Sequence, residues 1–170
     1  MEQSEINNMF LKCAARLPYP AVRVEKPNYN YGLILLDDLA SAVSETTAIM
    51  QYLNHHYTIE DRKISELEEC IAMVEMHHME ILNELIKKLG VTPVYASYAG
   101  NTGIYWNASF VYYGCGVRDK LQKDIDGERA AIAQYKKHIG LIDDKYVQEN
   151  LERIIKDEEH HIEILTGALN

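Results

Sequence analysis

Glu75 and His78 stand three residues apart, and so do Glu158 and His161. On a helix that spacing projects both side chains from one face. A carboxylate beside an imidazole is a metal-ligating pair, and oxygen with imidazole nitrogen suits manganese or ferrous iron better than thiolate-seeking metals. A single Glu-x-x-His reads as readily as a solvated helix face. Here each copy has a further glutamate 30 residues upstream, Glu45 before Glu75 and Glu128 before Glu158. Together they read as one set of metal ligands: Glu45, Glu75, His78, Glu128, Glu158 and His161. Uncompensated, four ionised carboxylates are costly to bury. Two divalent cations would balance their charge.

The elements that position these residues are visible as an internal repeat. At an offset of 83, residues 45 to 82 align with 128 to 165 without a gap, with 17 identities in 38 positions. Glu45-x-x-Ala48-Ile49-x-Gln51-Tyr52 recurs as Glu128-x-x-Ala131-Ile132-x-Gln134-Tyr135, and VEMHHMEIL recurs as DEEHHIEIL. Each copy reads as a helical hairpin. In the first, a helix over 33–57 leads to Thr58, whose hydroxyl caps a second helix with Asp61 three residues on. That helix runs to Leu89, where Gly90 and then Pro93 stop it. In the second, a helix over 117–139 breaks at Gly140, and Asp143 or Asp144 opens the last helix. At the α-helical rise, Glu45 and Glu75 both lie roughly 20 to 24 Å from their turn. They share one level.

Between the hairpins lie residues 90–116, too many for a tight turn and rich in Tyr and Gly. A connection of that length lets the chain return along the bundle, and YWNASFVYYG adds a short strand or an aromatic cover. Apolar positions at three-and-four spacing, Leu151, Ile154 and Leu165 in the last helix and Ile64, Ile71, Leu82, Leu85 and Leu89 in the second, face the core beside the ligands. Glu158 is preferred to Glu159 because it alone keeps the register. Glu80 and Glu163 point outward. Tyr52 and Tyr135 read as core packing near the site, with a phenol reaching a ligand as the alternative. Gln51, Gln134, His55 and His138 read as polar bundle ends, and His77 and His160 lie off the ligand face.

The chain has 170 residues, 47% apolar and 25% charged, with four prolines and nine glycines, which fits a single domain over 1–170 with an N-terminal extension over 1–32. A formal net charge of -9 argues against nucleic acid as a partner. The start lacks the basic and apolar run of a secretory signal, and the apolar windows are too short for a membrane span. Cys13, Cys70 and Cys115 are scattered and odd in number, which predicts free thiols in a reducing, cytoplasmic setting.

Over 33–168 these residues resemble the ferritin-like superfamily, in its manganese-catalase-like and rubrerythrin-like branches. The order Glu45, Glu75-x-x-His78, Glu128, Glu158-x-x-His161 carries the resemblance. It implies an all-α, ferritin-like four-helix bundle of two repeated hairpins with a long crossover, holding two metal ions, Fe or Mn, between those six residues. A manganese-catalase likeness implies disproportionation of hydrogen peroxide with no external reductant. A rubrerythrin likeness implies peroxide reduction, and the chain has no Cys-x-x-Cys rubredoxin centre, so a separate electron donor would be needed. The favoured expectation is an oxidoreductase acting on hydrogen peroxide or dioxygen, as a homodimer or higher homo-oligomer. A non-enzymatic structural protein that binds metal is the alternative from another class.

Overall fold

The computed structural model describes residues 10–98 and 103–170. Among the described residues, five helices build the bundle, and short polar side chains cap four of them. Helix α1 (Tyr29–Ala40) is capped by Asn28 and α2 (Glu45–Thr58) by Ser44. Helix α3 (Arg62–Lys88) is capped by Asp61, α4 (Val117–Ile139) follows Gly116, and α5 (Lys145–Leu169) is capped by Asp144. Gly90 takes φ 92° after α3, a conformation that costs glycine little. Helices α2 and α3 pack as one hairpin, α4 and α5 as the other.

Two expectations fail here. The first helix of the repeat is not continuous over 33–57 but breaks at Ser41 to Ser44. Hydroxyls take over the carbonyls that helix bonds would use. Thr46 Oγ1 donates to the Leu39 carbonyl, and Thr47 Oγ1 and Ser44 Oγ donate to that of Ser41. The break places Glu45 in the first turn of a new helix, where the helix dipole favours a carboxylate. The cap of α3 is Asp61 rather than Thr58. Asp61 accepts from the Lys63 and Ile64 amides, whereas Thr58 ends α2 and its hydroxyl donates back to the Asn54 carbonyl.

The crossover carries both features expected of it. Strands β1 (Ala96–Ser97) and β2 (Ile104–Tyr105) pair antiparallel, Ala96 opposite Tyr105, and a single 3₁₀ turn covers Ala108–Phe110. Trp106 Nε1 donates to Thr47 Oγ1, which fastens the crossover over the start of α2. The apolar core falls into two clusters. Leu35, Leu82, Leu85, Leu151 and Ile154 belong to one, and Cys70, Ile71, Val74, Leu121 and Leu165 to the other. Along α3 and α5, Glu75, His78, Glu158 and His161 lie between them. A polar layer is thereby sealed at both ends by hydrocarbon.

The N-terminal extension runs antiparallel along α5. Its contacts step down that helix in order: Lys12 with His160, Ala15 with Asp157, Leu17 with Arg153, Ala21 with Asn150 and Glu25 with Asp144. A Cys13–Cys70 disulfide joins this strap to α3, so the expectation of free thiols holds only for the exposed Cys115. The two cysteines are 57 residues apart in sequence and meet because the strap folds back over α3, which spacing does not reveal. That bridge removes the argument for a reducing compartment. No helix among the described residues is long and apolar enough to cross a membrane. Cross-linking over such a separation restricts the unfolded chain, a contribution of about 4 kcal/mol in the chain-entropy account. Cys70→Ser is therefore expected to lower the unfolding free energy in urea by up to about that amount, and the same loss should follow reduction of the native protein.

Candidate metal centre

The six predicted residues meet. Glu45, Glu75, His78 and Glu158 form one buried cluster whose ligand atoms all lie within 4.8 Å of one another, and Glu75, Glu128, Glu158 and His161 form a second. Glu75 and Glu158 belong to both. Under the repeat these two exchange, as do Glu45 with Glu128 and His78 with His161. The centre is thus pseudo-two-fold symmetric, with two shared carboxylates in the middle and one carboxylate and one imidazole at each end. Both rings present Nδ1 to the centre, with ring centroids 6.2 Å apart.

The contacts are those of groups aimed at a common point. His161 Nδ1 lies 3.0 Å from Glu75 Oε1, 3.3 Å from Glu128 Oε1 and 3.0 Å from Glu158 Oε2. Yet His161 Nδ1, Glu75 Oε1 and Glu158 Oε2 make no hydrogen bond among the described residues. Atoms this close without hydrogen-bond alignment have lone pairs that converge between them rather than on one another. Buried polar atoms are seldom left so. The four-Glu, two-His set is the one found in di-iron and di-manganese carboxylate bundles, and the residues fit two such ions.

Without a cation, protons carry the compensating charge. Burial, reinforced by the charge of Glu75, pushes the Glu45 carboxyl well up, and burial with Glu158 and Glu75 does the same to Glu128. Burial would lower both histidines, but the surrounding carboxylates override it and raise His78 and His161 well above the usual imidazole range. Glu75 goes the other way. Burial opposes its ionisation, yet the two imidazoliums hold it well below the carboxylate norm.

A shell of partners orients the ligands. Tyr52 donates to Glu128, and Tyr135 donates to Glu45, each phenol crossing to the carboxylate of the other half. Burial and those carboxylates raise both phenols well above their ordinary range, so they remain donors. Of the two readings for these tyrosines, packing and ligand contact, both hold. His55 and His138 are not bundle ends. Both are buried: His55 Nδ1 lies 2.8 Å from Asp124 Oδ2, and His138 Nδ1 2.8 Å from Asp38 Oδ2. Gln51 and Gln134 donate to the same two aspartates. Asp38 lies seven residues before Glu45 and Asp124 four before Glu128, and the break between α1 and α2 absorbs the difference. The repeat already signalled these pairs, because glutamine and histidine recur in both copies.

Asp157 carried no such signal. Its Oδ2 accepts from His78 Nε2 at 2.9 Å and from the Tyr19 hydroxyl at 2.6 Å, and pairs with Arg153 at 2.7 Å. Burial opposes its ionisation, but His78 and Arg153 hold the carboxyl well below its ordinary value. It thereby fixes the proton on His78 Nε2 and leaves Nδ1 for the centre. Its counterpart in the repeat is Val74, and His161 Nε2 has no partner among the described residues. His77 and His160 lie off the site, as expected, paired with the exposed Glu80 and Glu163.

A cavity of about 230 Å³ reaches the carboxylates. Glu45, Glu75, Glu128, Glu158, Tyr52 and Tyr135 line its floor, and its walls run out to the exposed Ala42, Lys123 and Gly127 beneath Phe110 and Tyr112 of the crossover. A molecule of a few atoms fits it.

These protonation states give the centre a signed pH dependence. Glu45, Glu128, His78 and His161 bind protons more tightly when the metal-free protein is folded than when it is unfolded. That stabilisation is present at low pH and fades as pH rises through the raised values. Metal must displace those protons, so its affinity rises with pH. The increase in melting temperature on adding Mn²⁺ is expected to be larger at about pH 8 than at about pH 5.5, on either side of the ordinary histidine value. A pH-independent shift in differential scanning fluorimetry would contradict this account.

Comparison with known proteins agrees with the geometry. The family model for the ferritin-like domain matches residues 40–170. A probable manganese catalase of Clostridium acetobutylicum is 27% identical over 170 residues, covering 88% of this chain and 74% of that protein. Protein CotJC of Bacillus subtilis is 30% identical over 162 residues, covering 85% of this chain and 84% of its own. Among solved structures, KatB, a manganese catalase from Anabaena PCC7120, superposes with a TM-score of 0.83 at 24% identity, over 91% of this chain and 78% of that one. The buried carboxylate and histidine clusters make two metal ions, iron or manganese, the cofactor of such a fold. With its repeated hairpins, long crossover and paired clusters, the chain belongs to the ferritin-like family.

Proposed function

We propose that this protein is a dinuclear manganese or iron oxidoreductase that acts on hydrogen peroxide or dioxygen, with disproportionation of hydrogen peroxide as the favoured reaction. Glu45 and His78 would hold one ion and Glu128 and His161 the other, with Glu75 and Glu158 common to both clusters. The observation that carries this reading is the cavity whose floor is the four carboxylates themselves. A purely structural ion gains nothing from such access. Two ions bound there would supply a two-electron couple, which is what interconverting peroxide with water and dioxygen requires.

The chain's own residues do the rest. Tyr52 and Tyr135 hold the outer carboxylates by their phenol donors, which limits the positions Glu128 and Glu45 adopt. Asp157 fixes the tautomer of His78. The apolar clusters on both sides exclude bulk water, so a small oxidant enters only along the cavity. The likeness to two manganese catalases supports the catalase-like reaction over a peroxidase that draws on a separate electron donor.

The manganese-loaded protein is expected to evolve dioxygen from hydrogen peroxide with no reductant present, one dioxygen for every two peroxides consumed. Peroxide loss only on adding a reductant would mark the donor-dependent reaction, and no loss in either case would leave a structural metal site. Glu75→Ala and Glu158→Ala each remove a carboxylate common to both ions. Both variants are expected to lose most of their bound metal, measured by elemental analysis after anaerobic loading, and the rate should fall with it.

A further inference from the structure

One turn of α4 and two turns of α3 away from the centre, His55, Glu68 and Asp124 form another buried cluster, with ligand atoms within 4.8 Å of one another. It uses none of the six residues above. Asp124 Oδ2 lies 2.8 Å from His55 Nδ1, and Glu68 Oε2 lies 4.0 Å from the same nitrogen. His55 Nε2 lies 3.1 Å from the Tyr112 carbonyl, which only accepts, so Nε2 carries the hydrogen. That contact fixes the ring with Nδ1 turned toward both carboxyl groups. One imidazole nitrogen and two carboxyl groups converge on a common point.

Glu68 is the informative member. It is fully buried, and neither of its oxygens has a hydrogen-bond partner among the described residues. A buried carboxylate left in that state is costly. The nearby buried Lys120 donates its ammonium to Thr58 Oγ1 and makes no hydrogen bond to Glu68. The repeat shows that packing does not require a carboxylate at this place. The counterpart of Glu68 is Leu151, also fully buried, although the counterparts of Gln51 and His55 make the same contacts with Asp38. The second half completes this arrangement with hydrocarbon. The first half adds a buried carboxyl group whose oxygens no hydrogen bond answers among the described residues.

We propose that His55 Nδ1, Glu68 and Asp124 form a third divalent-cation site beside the dinuclear centre. One imidazole nitrogen and two carboxylates suit Mn²⁺, Fe²⁺ or Zn²⁺. Asp124 also lines the cavity, so the site lies in its wall, about 6 Å along α4 from Glu128 at the helical rise. A cation held there would border the cavity that reaches the four carboxylates. The site stands whichever reaction the centre performs.

The test is anaerobic equilibrium dialysis of the full chain against MnCl₂, with bound manganese counted by mass spectrometry. Glu68→Leu installs the residue that packs at the equivalent place in the second half, and Glu68→Gln serves if the leucine variant does not fold. Either is expected to bind one manganese fewer per chain than the wild type, whereas an unchanged count would overturn the proposal. In wild-type crystals soaked in MnCl₂, an anomalous peak at the manganese edge is expected between His55 Nδ1 and the two carboxylates. Its absence would overturn the proposal. The peaks among Glu45, Glu75, Glu128 and Glu158 are read separately, so a failure of the dinuclear assignment is not mistaken for a failure of this one.

Discussion

Four carboxylates lie in a layer from which water is largely excluded, and the architecture is arranged to keep them ionisable there without tearing the bundle apart. Uncompensated, such a layer would outweigh the marginal stability of a protein this size. Two imidazoles, two phenols and the first turn of α2 each offset part of the cost, and cations offset the remainder. The apolar clusters on either side are its counterweight. They supply the burial energy that holds the helices together, and by drying the layer they strengthen every electrostatic interaction within it.

The hydrogen bonds from Tyr52 to Glu128 and from Tyr135 to Glu45 tie this layer to the duplication of the chain. Each hairpin supplies the donor for the other's carboxylate. Neither half can satisfy its own ligand alone, so the centre forms only when both hairpins dock. His138 with Asp38, and His55 with Asp124, extend the same reciprocity outward. Helix-to-helix contact and ligand orientation are one set of interactions here.

Much of this was legible in residue spacing. The unbroken repeat placed all six residues at one level, and the glycine and proline signals ended α3 and α4 where the structure ends them. Contacts between distant segments were not legible. Asp157 meets Tyr19 because the strap folds along α5, and His78 because α3 packs against α5, and nothing near Asp157 in sequence announces either. Cys13 reaches Cys70 through the same folding of the strap. The break before Glu45 was hidden because Ser41, Ser44, Thr46 and Thr47 are only weakly unfavourable to helix, and their hydroxyls end it through bonds that depend on local geometry. His55 and His138 were misread as bundle ends because α1 and the crossover, which cover them, do not belong to the repeat.

The duplication is also imperfect in an instructive way. Where the first half has Val74 the second has Asp157, so His78 is anchored through its outer nitrogen by an anion, and that of His161 has no partner among the described residues. An imidazole that donates to a carboxylate is a stronger electron donor than one facing hydrocarbon. The two ends of the site, which the fold makes geometric twins, are therefore unequal in how their imidazoles are held. An ion held as proposed would meet the more strongly donating imidazole on the His78 side, and the site acquires a polarity that its backbone symmetry would deny it.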